Sequence, residues 1–323
     1  MGALLTSFVI AAVLTPVVIN VARAHGLVAR PSVERWHTKP TALMGGVAIF
    51  GAALVAALLF LPVFTGKLAF IGTGVGALFI FLVGLYDDRR ALRPATKLIA
   101  QLVTACLFVA IFQNSLDPPT YGWLVPFAIL WVVGITNAFN LLDNMDGLAA
   151  GVAMLVAFLM AAHAALVGDT NVVIGALIIA GSAGGFLIYN FHPAKVFMGD
   201  CGSMFLGFSL ACLSLMGESG LLSGNLFTAL MMPTLVLATP LFDTTFVSLV
   251  RVLHGRSIAQ GGRDHTSHRL VLLGLSERRA VFWLYGITLW FGLIALWGAS
   301  IQNWLGTVAI SVLSVIALLV LGL

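Results

Sequence analysis

The chain alternates long apolar runs with short polar connections. Eleven runs are distinguishable, at roughly 2–22, 42–62, 68–86, 97–113, 122–141, 147–167, 171–190, 202–216, 225–250, 280–300 and 302–322. Most approach the length of about 20 residues that a helix needs to cross a bilayer core. They are continuously apolar, whereas the strands of a membrane β-barrel would alternate over short segments. The pattern predicts an all-α polytopic membrane protein with about eleven transmembrane helices, or ten if one of the last two runs does not cross. The ninth run is the longest and contains Pro233 and Pro240. Each proline removes a backbone donor, so a bent, tilted helix is expected there.

Composition agrees with this pattern. Of the 323 residues, 60% are hydrophobic and 9% charged, where a soluble domain carries about 25% charged residues. No polar stretch is long enough to form a soluble domain, so residues 1–323 read as a single integral-membrane unit. The basic residues assign its sides. Odd-numbered connections hold Arg23, Arg30, Arg35, Lys39, Arg89, Arg90, Arg93, Lys97, Lys195, Arg251, Arg256, Arg263, Arg269, Arg278 and Arg279, and even-numbered ones hold only Lys67. By the positive-inside rule the odd connections are cytoplasmic and the N-terminus lies outside; eleven spans put the C-terminus inside. No basic segment precedes the first run, which therefore reads as a span and not as a secretory signal. Cys106, Cys201 and Cys212 show neither metal spacing nor a disulfide framework.

Against this background the carboxylates stand out. Five of the twelve acidic residues form three islands at the ends of apolar runs: Asp87 and Asp88 in GLYDDRRALRP, Asp143 and Asp146 in NAFNLLDNMDGLAAG, and Asp200 in FHPAKVFMGDCGS. A carboxylate costs about 2.5–3.5 kcal/mol at a helix centre on insertion scales. All three islands fall on the predicted cytoplasmic side. Asp87 and Asp88 are adjacent and cannot share one helix face, so one faces a common centre while a neighbouring Arg89, Arg90 or Lys97 holds the other. Asn140, Asp143 and Asp146, three residues apart, line a slanted stripe on one side of a helix, and their oxygens suit a hard cation such as Mg²⁺. Asp200 stands between Gly199 and the Cys201-Gly202 pair, where backbone can approach a ligand closely. At a helix start it is either an N-cap or a metal ligand beside free N–H groups that suit phosphate.

The ninth connection, Arg251 to Arg279, is the longest polar stretch. Arg263, His265, His268 and Arg269 suit anionic oxygens, because arginine offers a planar donor fork for phosphate. A zinc site on Asp264, His265 and His268 lacks a well-placed further ligand. Arg278 and Arg279 read as an anchor on anionic lipid. Asp243, inside the ninth run, is either a buried partner of Thr244, Thr245 or Arg251, or part of the chemistry.

Taken in order, KPTALMGG, GLYDD, Lys97, NLLDNMDG, FHPAKVFMGDCGS, PLFDT and RDHTSHR resemble the polyprenyl-phosphate N-acetylhexosamine-1-phosphate transferases, over about residues 36 to 275. That family includes the phospho-MurNAc-pentapeptide translocase of peptidoglycan synthesis and the GlcNAc-1-phosphate transferases that begin O-antigen, teichoic acid and arabinogalactan. The resemblance implies an active site built from the cytoplasmic loops 23–41, 87–97, 142–147, 190–201 and 251–279. It makes Asp200 the Mg²⁺ ligand, with Asn140 beside the metal and the nucleotide, and Mn²⁺ as a substitute cation. Phe197 matches the aromatic on which uracil stacks, and Asp146 the residue that hydrogen-bonds it. Asp87 and Asp88 match a catalytic pair, Asp143 another essential acid, and Lys97 a lysine near the phosphates. His265, His268 and Arg269 fall in the loop that contacts sugar and pyrophosphate, with Arg263 beside them. Ser267 stands where the common pattern has a second, adjacent histidine, a variant that leans away from the translocase.

The implied reaction moves a sugar 1-phosphate, GlcNAc-1-phosphate first among them, from a UDP-N-acetylhexosamine to undecaprenyl phosphate and releases UMP. The implied setting is the bacterial inner (plasma) membrane, with the site facing the cytoplasm, membrane lipid around it, a homodimer, and no nucleic-acid partner. The alternatives are the MurNAc-pentapeptide reaction and, in a different class, an ion-coupled transporter. A transporter would hold its acids near the midplane at broken helices, and these acids sit at run ends. A lipid-phosphate phosphatase would need a nucleophile or water-activating motif that does not stand out.

Overall fold

The computed structural model describes residues 1–29, 40–61, 68–114, 124–216, 226–256, 264–301 and 304–320. Arg263, one of the expected phosphate ligands, lies outside the described residues, as do Arg30, Arg35 and Lys39. The structure is helical almost throughout: α1 (Gly2–Ala24), α2 (Gly46–Phe60), α3 (Leu68–Asp87), α4 (Pro94–Asn114), α5 (Leu124–Leu142), α6 (Leu148–Leu166), α7 (Thr170–Asn190), α8 (Gly199–Met216), α9 (Leu226–Val236), α10 (Ala238–Leu253), α11 (Thr266–Leu272), α12 (Glu277–Ile301) and α13 (Trp304–Val320). Two short strands, β1 (Val28–Ala29) and β2 (Thr41–Ala42), pair antiparallel. Among the described residues, eight helices are long and apolar enough to cross a membrane. The chain is an all-α, multi-pass membrane protein.

Helices α6, α7 and α8 form the buried middle, and α1 and α4 turn much more of their surface outward. Without a hydrophobic drive between helices in lipid, close approach falls to small residues. On α7, Gly181 and Gly185 are four apart and face α1. A Cβ on either would sit 2.1 Å from the Ser7 hydroxyl or 2.3 Å from the Phe8 carbonyl. Asp169 accepts the N–H groups of Asn171 and Val172 and so caps α7.

The ninth run departs from expectation. It is two helices, α9 and α10, that meet at Leu237. Pro240 has no N–H to offer the carbonyl four residues back, at Val236, so the ladder breaks there instead of bending. The second half, α10, buries a stripe at four-residue spacing, Thr239, Asp243, Val247 and Arg251, and exposes Leu249, Val252 and Leu253. Three of the four residues of the inward stripe are polar, while the exposed residues named are apolar, as lipid demands. The ninth connection, expected as polar loop, contains the short helix α11.

Candidate active site

The three acidic islands come together at one end of the bundle. α3 delivers Asp87 at its last residue, with Asp88 just beyond it; α8 delivers Asp200 in its first turn; α4 delivers Lys97 in its first turn. Lys97 Nζ donates to Asp87 Oδ2 at 3.1 Å and to Asp200 Oδ2 at 2.9 Å, joining residues 103 apart in sequence. The other oxygen of Asp87 accepts the Leu92 N–H.

Asp88 is used differently. Its Oδ1 accepts the backbone N–H of Asp200 at 2.7 Å and its Oδ2 that of Cys201 at 3.2 Å. It caps α8 from another helix, satisfying two of the donors that a helix start leaves open. Burial pushes its carboxyl above the ordinary carboxylate range, and these N–H bonds oppose the rise. Gly199, at φ +73°, would place a Cβ 2.6 Å from the Asp88 carboxylate, so only glycine fits the turn that lets this cap close.

Asn140, near the end of α5, donates its Nδ2 to Ser203 Oγ at 3.0 Å, one turn along α8 from Asp200. Its carbonyl oxygen keeps no partner among the described residues. Asp143 lies half-buried just past α5. Two carboxylates, Asp87 and Asp200, thus share one ammonium and lie against one another, while that of Asp88 is taken up by the start of α8. The oxygens of Asp87, Asp200 and Asn140 form a donor set suited to a hard divalent cation, and the excess of negative charge favours one.

A second corner adjoins the first. Asp146 Oδ2 accepts the Ala194 N–H at 2.9 Å and faces His192 Nδ1 at 3.1 Å, and the same Nδ1 stands 3.2 Å from Glu277 Oε2. The ligand atoms of Asp146, His192 and Glu277 lie within 4.8 Å of one another. Oδ1 of Asp146 is left without a protein partner among the described residues. Behind this corner, buried Asn190 accepts the Gly147 N–H and donates to the Val196 carbonyl, while Tyr285 from α12 donates to the Gly147 carbonyl at 2.6 Å. The first connection is stitched to the seventh. Phe197 N–H donates to Ala42 O, Gly45 N–H to Phe197 O, and Gly46 N–H to Met198 O, at 2.8–2.9 Å. In this extended segment Val196 and Met198 are buried and Phe197, pointing the other way, is half-buried.

The ninth connection reaches the same end. Ser267 Oγ donates to Asn144 Oδ1 at 2.7 Å, docking α11 on the loop after α5. His265 is buried on Asp243, and the His268 ring meets the His265 ring edge-on with centroids 6.1 Å apart. Arg269 stacks over Phe246 and donates to the Asp264 carbonyl. Arg251 Nε donates to Asp264 Oδ2 at 3.3 Å, and Asp243 is engaged by His265 and the Thr266 N–H. His192, Glu277, Tyr285 and Asn190 were not singled out from sequence. Asn190 and His192 stand at the head of the FHPAKVF segment, which was the signal for them. Glu277 sits beside Arg278 and Arg279, whose charge drew the reading toward a lipid anchor.

With this geometry in place, comparison with known proteins assigns the family. Residues 70–218 match the model of glycosyl transferase family 4. The chain is 36% identical over 320 residues to the probable undecaprenyl-phosphate N-acetylglucosaminyl 1-phosphate transferase of Bacillus subtilis (strain 168), covering 96% of this chain and 88% of that protein. It is 33% identical to the decaprenyl-phosphate N-acetylglucosaminephosphotransferase of Mycobacterium tuberculosis (strain ATCC 25618 / H37Rv), covering 92% and 81%. It is 32% identical to the phospho-N-acetylmuramoyl-pentapeptide-transferase of Lactiplantibacillus plantarum, covering 88% and 94%. Similarity over nearly the full length of these relatives, together with the family model over residues 70–218, makes this chain a member of glycosyl transferase family 4.

Proposed function

We propose that this protein transfers GlcNAc-1-phosphate from UDP-GlcNAc to undecaprenyl phosphate, releasing UMP and leaving a lipid-linked diphosphate sugar. The observation that carries the reading is the meeting of Asp87, Asp200 and Lys97 from three helices at one bundle end, next to the stitched segment that holds Phe197. The names of the relatives agree in reaction type, and two of the three cited above act with N-acetylglucosamine. Ser267, where a second histidine is common, favours this branch over the MurNAc-pentapeptide reaction.

In the proposed reaction an oxygen of the lipid phosphate attacks the phosphorus that carries the sugar. The bond from that phosphorus to the bridging oxygen breaks, and UMP leaves with that oxygen. A phosphomonoester has its second pKa near about 6, so the attacking phosphate is largely dianionic at neutral pH and needs little help from a base. Asp87 and Asp88 both have their oxygens engaged, by Leu92 and Lys97 and by the start of α8 respectively. This favours direct attack over a covalent aspartyl intermediate. Lys97 brings positive charge to the transferring phosphoryl group, and Asp88 positions Asp200 through its backbone. Asp200, Asp87 and Asn140 would hold Mg²⁺, with Mn²⁺ as a substitute; when bound it supplies Lewis-acid charge for the pyrophosphate. Phe197 offers a face for the uracil ring and Asp146 Oδ1 an acceptor for its N–H. Arg263, His268 and Arg269 serve the sugar and phosphates.

The basic bias of the odd connections supports a cytoplasm-facing site in the inner (plasma) membrane, where a nucleotide sugar and a lipid acceptor can both arrive. We propose a homodimer on family resemblance. The test is incubation of the purified protein with uridine-labelled UDP-GlcNAc, Mg²⁺ and undecaprenyl phosphate. UMP that forms only with lipid present is the expected result. UMP without lipid would indicate a hydrolase, and no UMP from any UDP-sugar would end the reading.

A further inference from the structure

Asp243 and His265 form a pair that the reaction above leaves without a role. Both are buried, at 3% and 5% exposure. Asp243 belongs to the inward stripe of α10, and an acid is kept inside such a bundle only when its oxygens are matched. They are matched here. Oδ1 accepts the Thr266 N–H at 2.7 Å, and Oδ2 stands 2.8 Å from His265 Nδ1. Because the carboxylate can only accept, Nδ1 must carry a proton. The imidazole is therefore fixed in both orientation and protonation at that atom, and Nε2 has no partner among the described residues. Ser267, two residues on, donates to Asn144 in the loop between Asp143 and Asp146, so the pair is docked against the site.

We propose that Asp243 is a positioning residue for His265: it holds the proton on Nδ1 and turns Nε2 toward the sugar phosphate of the donor. The catalytic half of this statement rests on the transferase reading above and on the resemblance that puts His265 in the loop contacting sugar and pyrophosphate. Carboxylate, imidazole and reacting group in series is an arrangement in which the carboxylate acts by fixing the ring, without itself exchanging a proton.

Asp243→Asn separates this role from a packing one. The amide is close in size to the carboxylate. Its carbonyl must remain on the Thr266 N–H, since only an acceptor can face a donor, so its NH₂ then faces Nδ1. Nδ1 must become an acceptor, and the proton moves to Nε2. The experiment uses the full-length protein labelled with ¹⁵N-histidine, with His265→Gln identifying the His265 signals. Two-bond ¹H–¹⁵N spectra read the tautomer, and UMP release with lipid reads the kinetics. The expected result is Nδ1–H in the wild type, Nε2–H in Asp243→Asn, and a fall in kcat of about tenfold or more, with KM for UDP-GlcNAc changed less than kcat.

A wild-type His265 with Nδ1 unprotonated overturns the proposal, and this measurement stands even if the variant fails to fold. A tautomer switch without loss of rate, or a loss of rate without a switch, overturns it as well. A wild type that makes no UMP but shows Nδ1–H removes the transferase reading and the catalytic role with it. Wild-type UMP release with the wrong tautomer removes only the role of Asp243.

Discussion

Two corners of the site use similar ingredients in opposite ways. In the first, Asp87, Asp88 and Asp200 come from two helices and meet one lysine from a third; one acid is committed to the backbone of α8 and the other two share the ammonium. In the second, Asp146 and Glu277 share one imidazole nitrogen, and Asp146 is braced further by the Ala194 N–H. The first corner carries more negative charge than its lysine balances and suits a cation with phosphates. The second leaves a single braced acceptor oxygen and suits recognition of a neutral ring with an N–H. Position at a helix end is common to both, so what separates charge handling from shape reading is which atoms the backbone has already taken.

The comparison can be tested in order of expected effect. Asp200→Asn should lower kcat by about 10²–10³-fold or more while the protein still purifies and unfolds at a similar temperature. A chelator should mimic that loss in the wild type, with recovery on adding Mg²⁺ or Mn²⁺. Full activity in both experiments would take the cation out of the first corner. Asp146→Asn should raise KM for UDP-GlcNAc about tenfold or more, as expected for a hydrogen bond to a charged group. The KM for undecaprenyl phosphate should stay in place, and a variant that weakened lipid use instead would merge the two corners into one. Asp88→Asn should have the smallest effect, since one oxygen still accepts while the NH₂ confronts a backbone N–H. A loss of about 1 kcal/mol in stability is expected, the usual scale for a helix cap, read as a lower thermal unfolding temperature in detergent. If Asp88→Asn instead kept its stability and lost all turnover, Asp88 would belong with the reacting groups.

Much of this arrangement was legible in the amino-acid order. Apolar run length sets the helices, because the bilayer fixes how long a span must be, and carboxylates concentrated at run ends have few structural explanations. The meeting of positions 87, 140 and 200 follows from those two facts together with the basic bias. Other features were out of reach for specific reasons. Adjacent acids at 87 and 88 must diverge, but only packing decides which one turns to α8. Pro233 and Pro240 announce a disturbance, yet whether a helix bends or breaks depends on what receives the two halves. Helix α11 is seven residues of mixed polarity and gives no periodic signal. The link between His192 and Glu277 joins residues far apart in sequence across a stretch whose charges look like a membrane anchor.

The pairing of residues 42–46 with 196–198 carries a consequence for how the protein can vary. Backbone pairs hold it, and a Cβ at Gly45 or Gly46 would collide with Phe186 or with Gly202, so neither its small residues nor its length can change freely. Removing one residue between Ala42 and Gly45 would slide the ladder by a single step, and in an extended segment each step reverses which side a residue faces. Buried Ala42 and half-buried Leu43 would then trade sides, and the backbone bonds to Phe197 and Met198 could not all form. A deletion that removes no charged group would thus loosen the segment proposed to carry the base.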